Sequence, residues 1–156
     1  WQVSRCAAGG GVVHALDRRR VARVGAGAVA EALALAEAQL PSGPVLIYST
    51  AEPMAVAAVQ AQLGTEGAGA LVEQALAEVA QGLLRLGVRQ LVVAGGETSG
   101  AVVQALGVRQ MQIGPQIDPG VPWCHAFGND GPLHLALKSG NFGSDDFFTK
   151  AFAQLA

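Results

Sequence analysis

The sequence predicts an α/β fold of three layers, in which a mostly parallel sheet is flanked by helices. Short continuous apolar runs, typical of strands covered on both faces, alternate along the chain with longer segments of helical spacing. Two strand-like segments are also joined by one helix through short connections, which is typical of a right-handed βαβ unit and hence of a parallel sheet. The 156 residues are enough for one such domain with one core.

The first elements are predicted to be two helices and one strand. Residues 25–40 are rich in Ala and Leu and stop at the Pro-Ser-Gly-Pro turn of residues 41–44, which indicates a helix. The apolar run at 45–49 predicts a buried strand. A proline at position 53 opens a second predicted helix that reaches residue 63, and the glycine-rich residues 64–69 predict a surface loop.

The clearest helix spans residues 70–86, where apolar residues form one stripe and Glu, Gln and Arg take the opposite face. Gly87 then predicts a left-handed cap, with Val88 packed back on the last turn. Strand "QLVVA" at 90–94 follows, and a glycine loop leads into a short helix from Ser99 to Leu106. This helix ends in "LGVRQM", nearly a copy of the earlier "LGVRQL", so one kind of cap is predicted to lead from each helix into a strand.

The last third of the chain is predicted to hold two strands and a helix. Residues 111–113 are the next strand, and a long Pro- and Gly-rich loop follows at 114–123. Residues 133–137 alternate in the manner of another strand. Ser144, Asp145 and Asp146 then predict a cap and an acidic first turn for a final helix that ends near Leu155.

Composition excludes several classes of protein. The net charge of -2 argues against a nucleic-acid surface, and Arg18-Arg19-Arg20 is interpreted as a solvated turn. No apolar run approaches the roughly 18 residues of a membrane span. Cys6 and Cys124 have no CxxC partner and the histidines show no metal spacing, so we expect no metal site in the chain and a cytoplasmic location. The first residue is Trp rather than Met, which leads us to expect a piece of a longer protein.

Ligands of open α/β sheets bind beyond the carboxyl ends of the strands. Three unusual loops are predicted there: "AGGETSG" at 94–100, "GPQIDPGVPW" at 114–123 and "KSGNFG" at 138–143. We expect the three loops to converge on one edge of the sheet.

The loop "AGGETSG" has the residue types of a phosphate cradle. Gly95 and Gly96 permit positive φ and a close approach of the backbone to a ligand. Thr98 or Ser99 can cap the following helix, whose free N–H groups and dipole favour an anion. Glu97 is open to three roles: holding Mg²⁺ through water, bonding a ribose hydroxyl, or satisfying backbone N–H groups. A plain strand–helix turn with a polar cap stays an alternative interpretation.

The other two loops carry fewer chemical groups. Lys138 is a point charge suited to phosphate, and Gly140 permits close approach, although a solvated lysine and a capped turn explain the same residues. In the 114–123 loop, Gly120 and its flanking prolines fix a rigid path. Trp123 suits a base platform and a core anchor equally.

Three segments together resemble a known family. "LVVAGGETSGAVVQALGV", "IGPQIDPGVPW" and "LALKSGNFGSDDFF", in this order and spacing, closely resemble the C-terminal nucleotide-binding domain of the four-carbon acid sugar kinases, such as 3-oxo-tetronate and threonate kinases. The resemblance implies that residues 1–156 form one nucleotide-binding domain of a two-domain enzyme, which transfers the γ-phosphate of ATP, with Mg²⁺, to the terminal hydroxyl of a sugar acid. Because the DD-x-TGA-like motif of the N-terminal substrate domain does not occur here, we expect this chain alone to be inactive, with its catalytic base in the absent domain.

The resemblance also implies which residues contact the nucleotide. Lys138 is our own addition on grounds of charge, and Gly120 is included for the rigid loop that it shapes. The full predicted set is Gly95, Gly96, Glu97, Thr98, Ser99, Gly100, Gly120, Lys138, Gly140 and Asn141.

Two other functions stay open at this point. One is a stand-alone, non-catalytic module that binds a nucleotide or phosphate. The other is a dinucleotide-binding domain, which is disfavoured because GxGxxG with an acidic residue about 20 positions on is absent. The expected partners are ATP and, through the absent domain, a sugar acid, with no nucleic acid and no membrane; Ala-rich helix faces suit a homodimer and a well-filled core equally.

Overall fold

The computed structural model of the chain describes residues 2, 4, 11–49, 65–140 and 142–155. The helices and strands within them run in the order β1 (Val12–Ala15), α1 (Arg18–Gln39), a 3-10 turn (Leu40–Ser42), β2 (Val45–Tyr48), α2 (Thr65–Arg85), β3 (Gln90–Ala94), α3 (Gly96–Ala105), β4 (Gln110–Asp118), β5 (Val121–Gly128), β6 (Gly131–Lys138) and α4 (Phe147–Ala153).

The strands form one small and one larger sheet. β1 pairs with β2 in parallel, and the larger sheet has the order β3-β6-β5-β4. β3 and β6 are parallel, whereas β6–β5 and β5–β4 are antiparallel. The α/β class is therefore confirmed, but the larger sheet is mixed. Instead of two neighbouring parallel strands, β3 and β4 are edge strands that run in the same direction with β6 and β5 between them.

The mixed sheet arises from strand β5, which the sequence interpretation placed partly in a long loop. Residues 114–118 continue β4, and the chain reverses at Pro119 and Gly120 to enter β5. A second reversal at Asn129 and Asp130 leads into β6. The proline and glycine that indicated a loop thus form the tight turn of a hairpin, a connection that only antiparallel strands can use.

Helices cover both faces of the larger sheet, so the three predicted layers are present. On one face α2 and α3 bury Leu84 and Val102 against Leu135 of β6. On the other face α4 buries Phe147 against Trp123 and Ala136. The indole Nε1 of Trp123, which is 1% exposed, donates a hydrogen bond of 2.9 Å to the Ala151 carbonyl. Trp123 is therefore a core anchor rather than a base platform.

Three predicted helices begin earlier than expected, including α3, which starts at Gly96 instead of Ser99. The helix predicted at 25–40 starts at Arg18, so the arginine run lies in the first turn of α1 rather than in a turn between elements, and Arg20 is exposed. The loop predicted at 64–69 is wrong for the described residues, because α2 starts at Thr65. Glycines at 67 and 69 cost about 1 kcal/mol each in a helix, a cost that the packing of the remaining turns offsets. The helix predicted at 53–63 lies outside the described residues.

Both predicted glycine caps are confirmed. Gly87 has φ 93°, and the Val88 N–H donates to the Leu83 carbonyl at 3.0 Å. Gly107 has φ 66°, and the Val108 N–H donates to the Val103 carbonyl at 3.1 Å. Each is a Schellman motif, in which the residue after the glycine closes the last turn. Among the described residues, no helix is long and apolar enough to cross a membrane.

Candidate functional site

The carboxyl ends of β3, β4 and β6 lie at one edge of the larger sheet. Ala94 pairs with Lys138, and Asp118 pairs with Val121 in the neighbouring hairpin. The Gly95 N–H also donates to the Lys138 carbonyl at 2.9 Å, which joins the end of β3 to the end of β6. The structure thus brings the residues after β3, the residues after β6 and the Pro119-Gly120 turn to one edge, as predicted, although the rest of the predicted 114–123 loop is strand.

Helix α3 begins at this edge without a side-chain cap. Gly95 is the N-cap residue, with φ 116° and ψ 132°, and the helix starts at Gly96. The prediction that Thr98 or Ser99 caps the helix is wrong, because both lie inside its first turn, after the cap. The Ser99 Oγ is buried and has no hydrogen-bond partner among the described residues. The first N–H groups of α3 have no intrahelical acceptor, so its N-terminus is suited to an anion.

A cleft of about 840 Å³ opens beside the start of α3. Its floor and walls come from β2, α2 and β3, and its rim from α3 and the loop after β6. The rim residues are Glu97, Thr98, Gly140, Gly143 and Asp145. Of the other predicted site residues, four lie at this edge but are not among the residues that line the cleft: Gly95, Gly96, Ser99 and Lys138. Gly100 lies within α3, and Gly120, with φ 79°, forms the β4–β5 turn and does not line the cleft.

Two carboxyl groups, those of Glu73 and Glu97, line the cleft. Burial raises the pKa of Glu73 on α2, and the charge of Glu97 and a hydrogen bond between the two carboxyl groups raise it further. No cluster of three or more His, Cys, Asp or Glu side chains suited to a metal ion occurs within the described residues. A divalent cation here would therefore need oxygens from a bound phosphate in addition to these carboxylates.

Lys138 is buried, with 3% of its surface exposed. Its ammonium donates hydrogen bonds to the carbonyls of Gly140 at 2.6 Å and Ser139 at 3.3 Å. It also lies 5.5 and 5.9 Å from the ring centres of Phe147 and Phe148. Burial lowers the pKa of this lysine. The interpretation as a solvated lysine is therefore wrong, and a direct contact with phosphate stays a prediction. Asn141 lies outside the described residues.

Asp118, which the sequence interpretation did not select, is the second buried charge at this edge, with 5% exposure. Its Oδ2 accepts hydrogen bonds of 2.8 Å from both the N–H and the Oγ of Ser144. Its Oδ1 accepts from the Lys150 ammonium. The Lys150 hydrogen bond, followed by those from Ser144, lowers the pKa of Asp118 to about 2. An acidic residue at a strand end beside Pro-Gly is the signal that could have identified it.

Gln2 was also missed, and no sequence pattern marks it. Its side-chain amide donates to the carbonyls of Phe142, Gly143 and Ser144 at 3.2, 3.2 and 2.9 Å. Three side chains that lie far apart in sequence thus contact the backbone of the loop after β6.

Comparisons with known proteins agree with this architecture. Residues 2–148 match the family described as nucleotide-binding C-terminal domain. A 3-oxo-tetronate kinase of Pseudomonas fluorescens is 63% identical over 132 residues, which are 85% of this chain and 30% of that protein. One of Pseudomonas savastanoi is 66% identical over 112 residues, covering 72% of this chain and 26% of the relative.

Solved structures show the same fold. A Haemophilus influenzae protein superposes with a TM-score of 0.83 at 35% identity, over 99% of this chain and 37% of its own. The chain spans about 30% of the curated relatives' length. On these matches, the chain belongs to the family described as nucleotide-binding C-terminal domain, and it is similar to part of the 3-oxo-tetronate kinases.

Proposed function

We propose that this chain is the ATP-binding part of a kinase that phosphorylates a four-carbon acid sugar, of the 3-oxo-tetronate or threonate type, at its terminal hydroxyl. The observation that carries the proposal is the cleft in which the uncapped N-terminus of α3 lies beside the loop after β6. In a chain of this family, that geometry supports the binding of nucleotide phosphates at this position.

The phosphates bind the backbone at the start of α3. Its free N–H groups and its dipole both favour negative charge. A Cβ added at Gly96 or at Gly140 would meet no atom within 4 Å, so the backbone at both positions is open to a close approach. We propose that the phosphates lie between these two glycines, while the apolar wall of the cleft, which includes Leu46, Leu76 and Leu91, accommodates the base.

Mg²⁺ is the second proposed component. Mg²⁺ usually keeps several waters and binds one or two carboxylates together with substrate phosphates, and Glu73 and Glu97 provide such a pair. The ion supplies neutralisation of the charge that develops on the transferred phosphoryl group. Glu97, on the first turn of α3, is the carboxylate we expect to face it, directly or through water.

Phosphoryl transfer requires the protein mainly to position the reactants and to stabilise the charge of the transition state. The elements described above position one substrate, the nucleotide. The sugar acid and the group that accepts its hydroxyl proton are assigned by this proposal to the rest of the longer protein. The chain by itself is then expected to bind ATP and to show negligible turnover of a threonate-like substrate.

A calorimetric titration tests the proposal. The chain is titrated with MgATP and with NADH, and the double variant Gly96→Val, Gly140→Val is compared with Gly25→Val, a control glycine in α1 that also has no atom within 4 Å of an added Cβ. We expect saturable binding of MgATP and not of NADH, at least about tenfold weaker in the double variant and unchanged in the control. Equal affinity in all three proteins, or preference for NADH, would contradict the proposal.

A further inference from the structure

The loop that follows β6 is held by buried charges of opposite sign, one near each of its ends. Lys138 precedes the loop and Asp118 approaches it from the end of β4. Both side chains are at least nine-tenths buried, whereas nearby Lys150, which also contacts Asp118, keeps 42% of its side chain exposed. Burying a charge is costly unless the charge is paired or hydrogen-bonded. The burial of Lys138 and of Asp118 must therefore be offset by the contacts that each makes with the loop.

Lys138 holds the first end through carbonyl oxygens. Its ammonium donates to Ser139 and Gly140, and the Ser139 carbonyl also accepts the Phe142 N–H at 3.1 Å, which closes the turn. The aromatic rings of α4 pack beside the ammonium and exclude water from it. Each of these contacts is made to the loop backbone or to the core.

Asp118 holds the other end through hydrogen-bond donors. It accepts both the N–H and the hydroxyl of Ser144. A Cβ at Gly143, where φ is 88°, would lie 3.3 Å from Oδ2 of Asp118 and 2.7 Å from the Phe147 ring. The carboxylate and the ring therefore approach the backbone so closely that only glycine fits there without displacement.

These contacts leave the loop with a polarity suited to an anion. The carbonyls of Ser139 and Gly140 are bound by Lys138, and those of Phe142, Gly143 and Ser144 by Gln2. Among the described residues, the N–H groups of Gly140 and Gly143 have no hydrogen-bond acceptor. Two glycines that line the cleft thus have unpaired donors, while the carbonyls of the described loop residues are hydrogen-bonded.

We propose that Lys138 and Asp118 are positioning residues for the nucleotide, which fix the described residues of the loop after β6, 139, 140 and 142–144, in an anion-binding shape without contacting the phosphates themselves. The identity of the ligand in this inference rests on the proposed function. The claim that the two charges hold the loop concerns the chain without ligand. Lys138 would then act on the nucleotide by holding the loop, and not by the direct contact with phosphate that the sequence suggested.

Backbone dynamics of the unliganded chain test the structural part. Nuclear magnetic relaxation gives order parameters for residues 139–144 in the unaltered chain and in Lys138→Met and Asp118→Asn. We expect values near 0.85, typical of rigid backbone, to fall below about 0.6 in either variant, while the amides of β5 and β6 stay unchanged. The controls are Arg109→Met and Asp130→Asn, exposed residues at the opposite end of the sheet, in which the loop is expected to stay rigid.

Titration with MgADP tests the functional part. Both positioning variants are expected to bind at least about tenfold more weakly than the unaltered chain and the controls. A loop that stays rigid in Lys138→Met while affinity falls would overturn the inference, because it would indicate direct contact with phosphate. If Asp118→Asn does not fold, Ser144→Ala, which removes only the hydroxyl contact, must show a smaller change of the same kind; a rigid loop there would also overturn it.

The two proposals fail in distinguishable ways. Absence of MgADP binding by the unaltered chain would count against the proposed function, whereas the order parameters would still decide whether the two buried charges hold the loop.

Discussion

Two carboxyl groups of different helices line the cleft together, Glu73 of α2 and Glu97 of the first turn of α3. The pKa of Glu73 lies above its ordinary value of 4.5, chiefly through burial and then through Glu97. A carboxyl group whose pKa is raised by folding binds its proton more tightly in the folded state. Its contribution to stability is therefore greatest below pH 4.5 and declines as the pH rises through the raised value.

Replacement of Glu73 by glutamine tests this pH dependence of stability. Glu73→Gln keeps a donor for Glu97 without the charge, so we expect it to unfold at a higher urea concentration than the unaltered chain at pH 7 and at the same concentration near pH 4. Urea unfolding at both pH values measures the difference, and Glu37→Gln, an exposed carboxylate of α1, is the control. A variant that is less stable at pH 7 would show that the ionised pair stabilises the fold.

At the scale of single residues, sequence patterns predicted backbone conformation better than the surroundings of charged groups. A positive φ at the strand–helix junction was predicted because it is a local property of the chain, and it occurs at Gly95, whereas Gly96 is the first residue of α3. The burial of Lys138 and the role of Asp118 depend on Ser144 and on the rings of α4, which only the folded chain brings near. No local pattern encodes such contacts.

Among the helices and strands, the packing of α1 on α2 depends on one glycine. A Cβ added at Gly82 would overlap the end of the Leu33 side chain, so an alanine there requires that side chain to shift. At Gly69 in the same helix, the nearest atom to an added Cβ is a Glu73 carboxylate oxygen at 3.8 Å, which is ordinary contact. An alanine substitution at Gly69 therefore reports mainly on helix propensity, whereas one at Gly82 reports mainly on the packing between the two helices.

The expected effects of the two alanine substitutions have opposite signs. Gly69→Ala should stabilise the chain by about 0.5–1 kcal/mol through helix propensity. Gly82→Ala should destabilise it by about 1–3 kcal/mol, because Leu33 must leave its position. Denaturant unfolding of both variants provides the test, and stabilisation by Gly82→Ala would mean that the contact with Leu33 relaxes at little cost.

The same scale shows which elements a sequence can predict. Both Schellman caps and the strands after them were predicted because a glycine cap is recognised within six residues. Strand β5 was missed because the Pro-Gly pair that makes a hairpin turn has the same composition as a loop. The distinction depends on whether the flanking segments pair, which is a property of the sheet.

At the scale of the whole molecule, the prediction that three loops converge was sound, although the sheet was predicted with the wrong connectivity. The strands before the loops, β3, β4 and β6, all run in one direction, and insertion of β5 between β6 and β4 does not alter where their carboxyl ends lie. The site therefore depends on strand direction more than on strand order. A second cleft, of about 700 Å³, lies at the opposite ends of β2 and β3, where Arg89 and Gln90 are among the lining residues.

The most direct test of the proposed nucleotide site is a crystal structure of this chain with MgADP. We expect the phosphates at the amides of residues 96–98, between the start of α3 and the loop at Gly140, with the base against the apolar wall of the larger cleft. Phosphates found in the second cleft, or on the α4 face of the sheet, would contradict the account and would require a different role for the glycine loops.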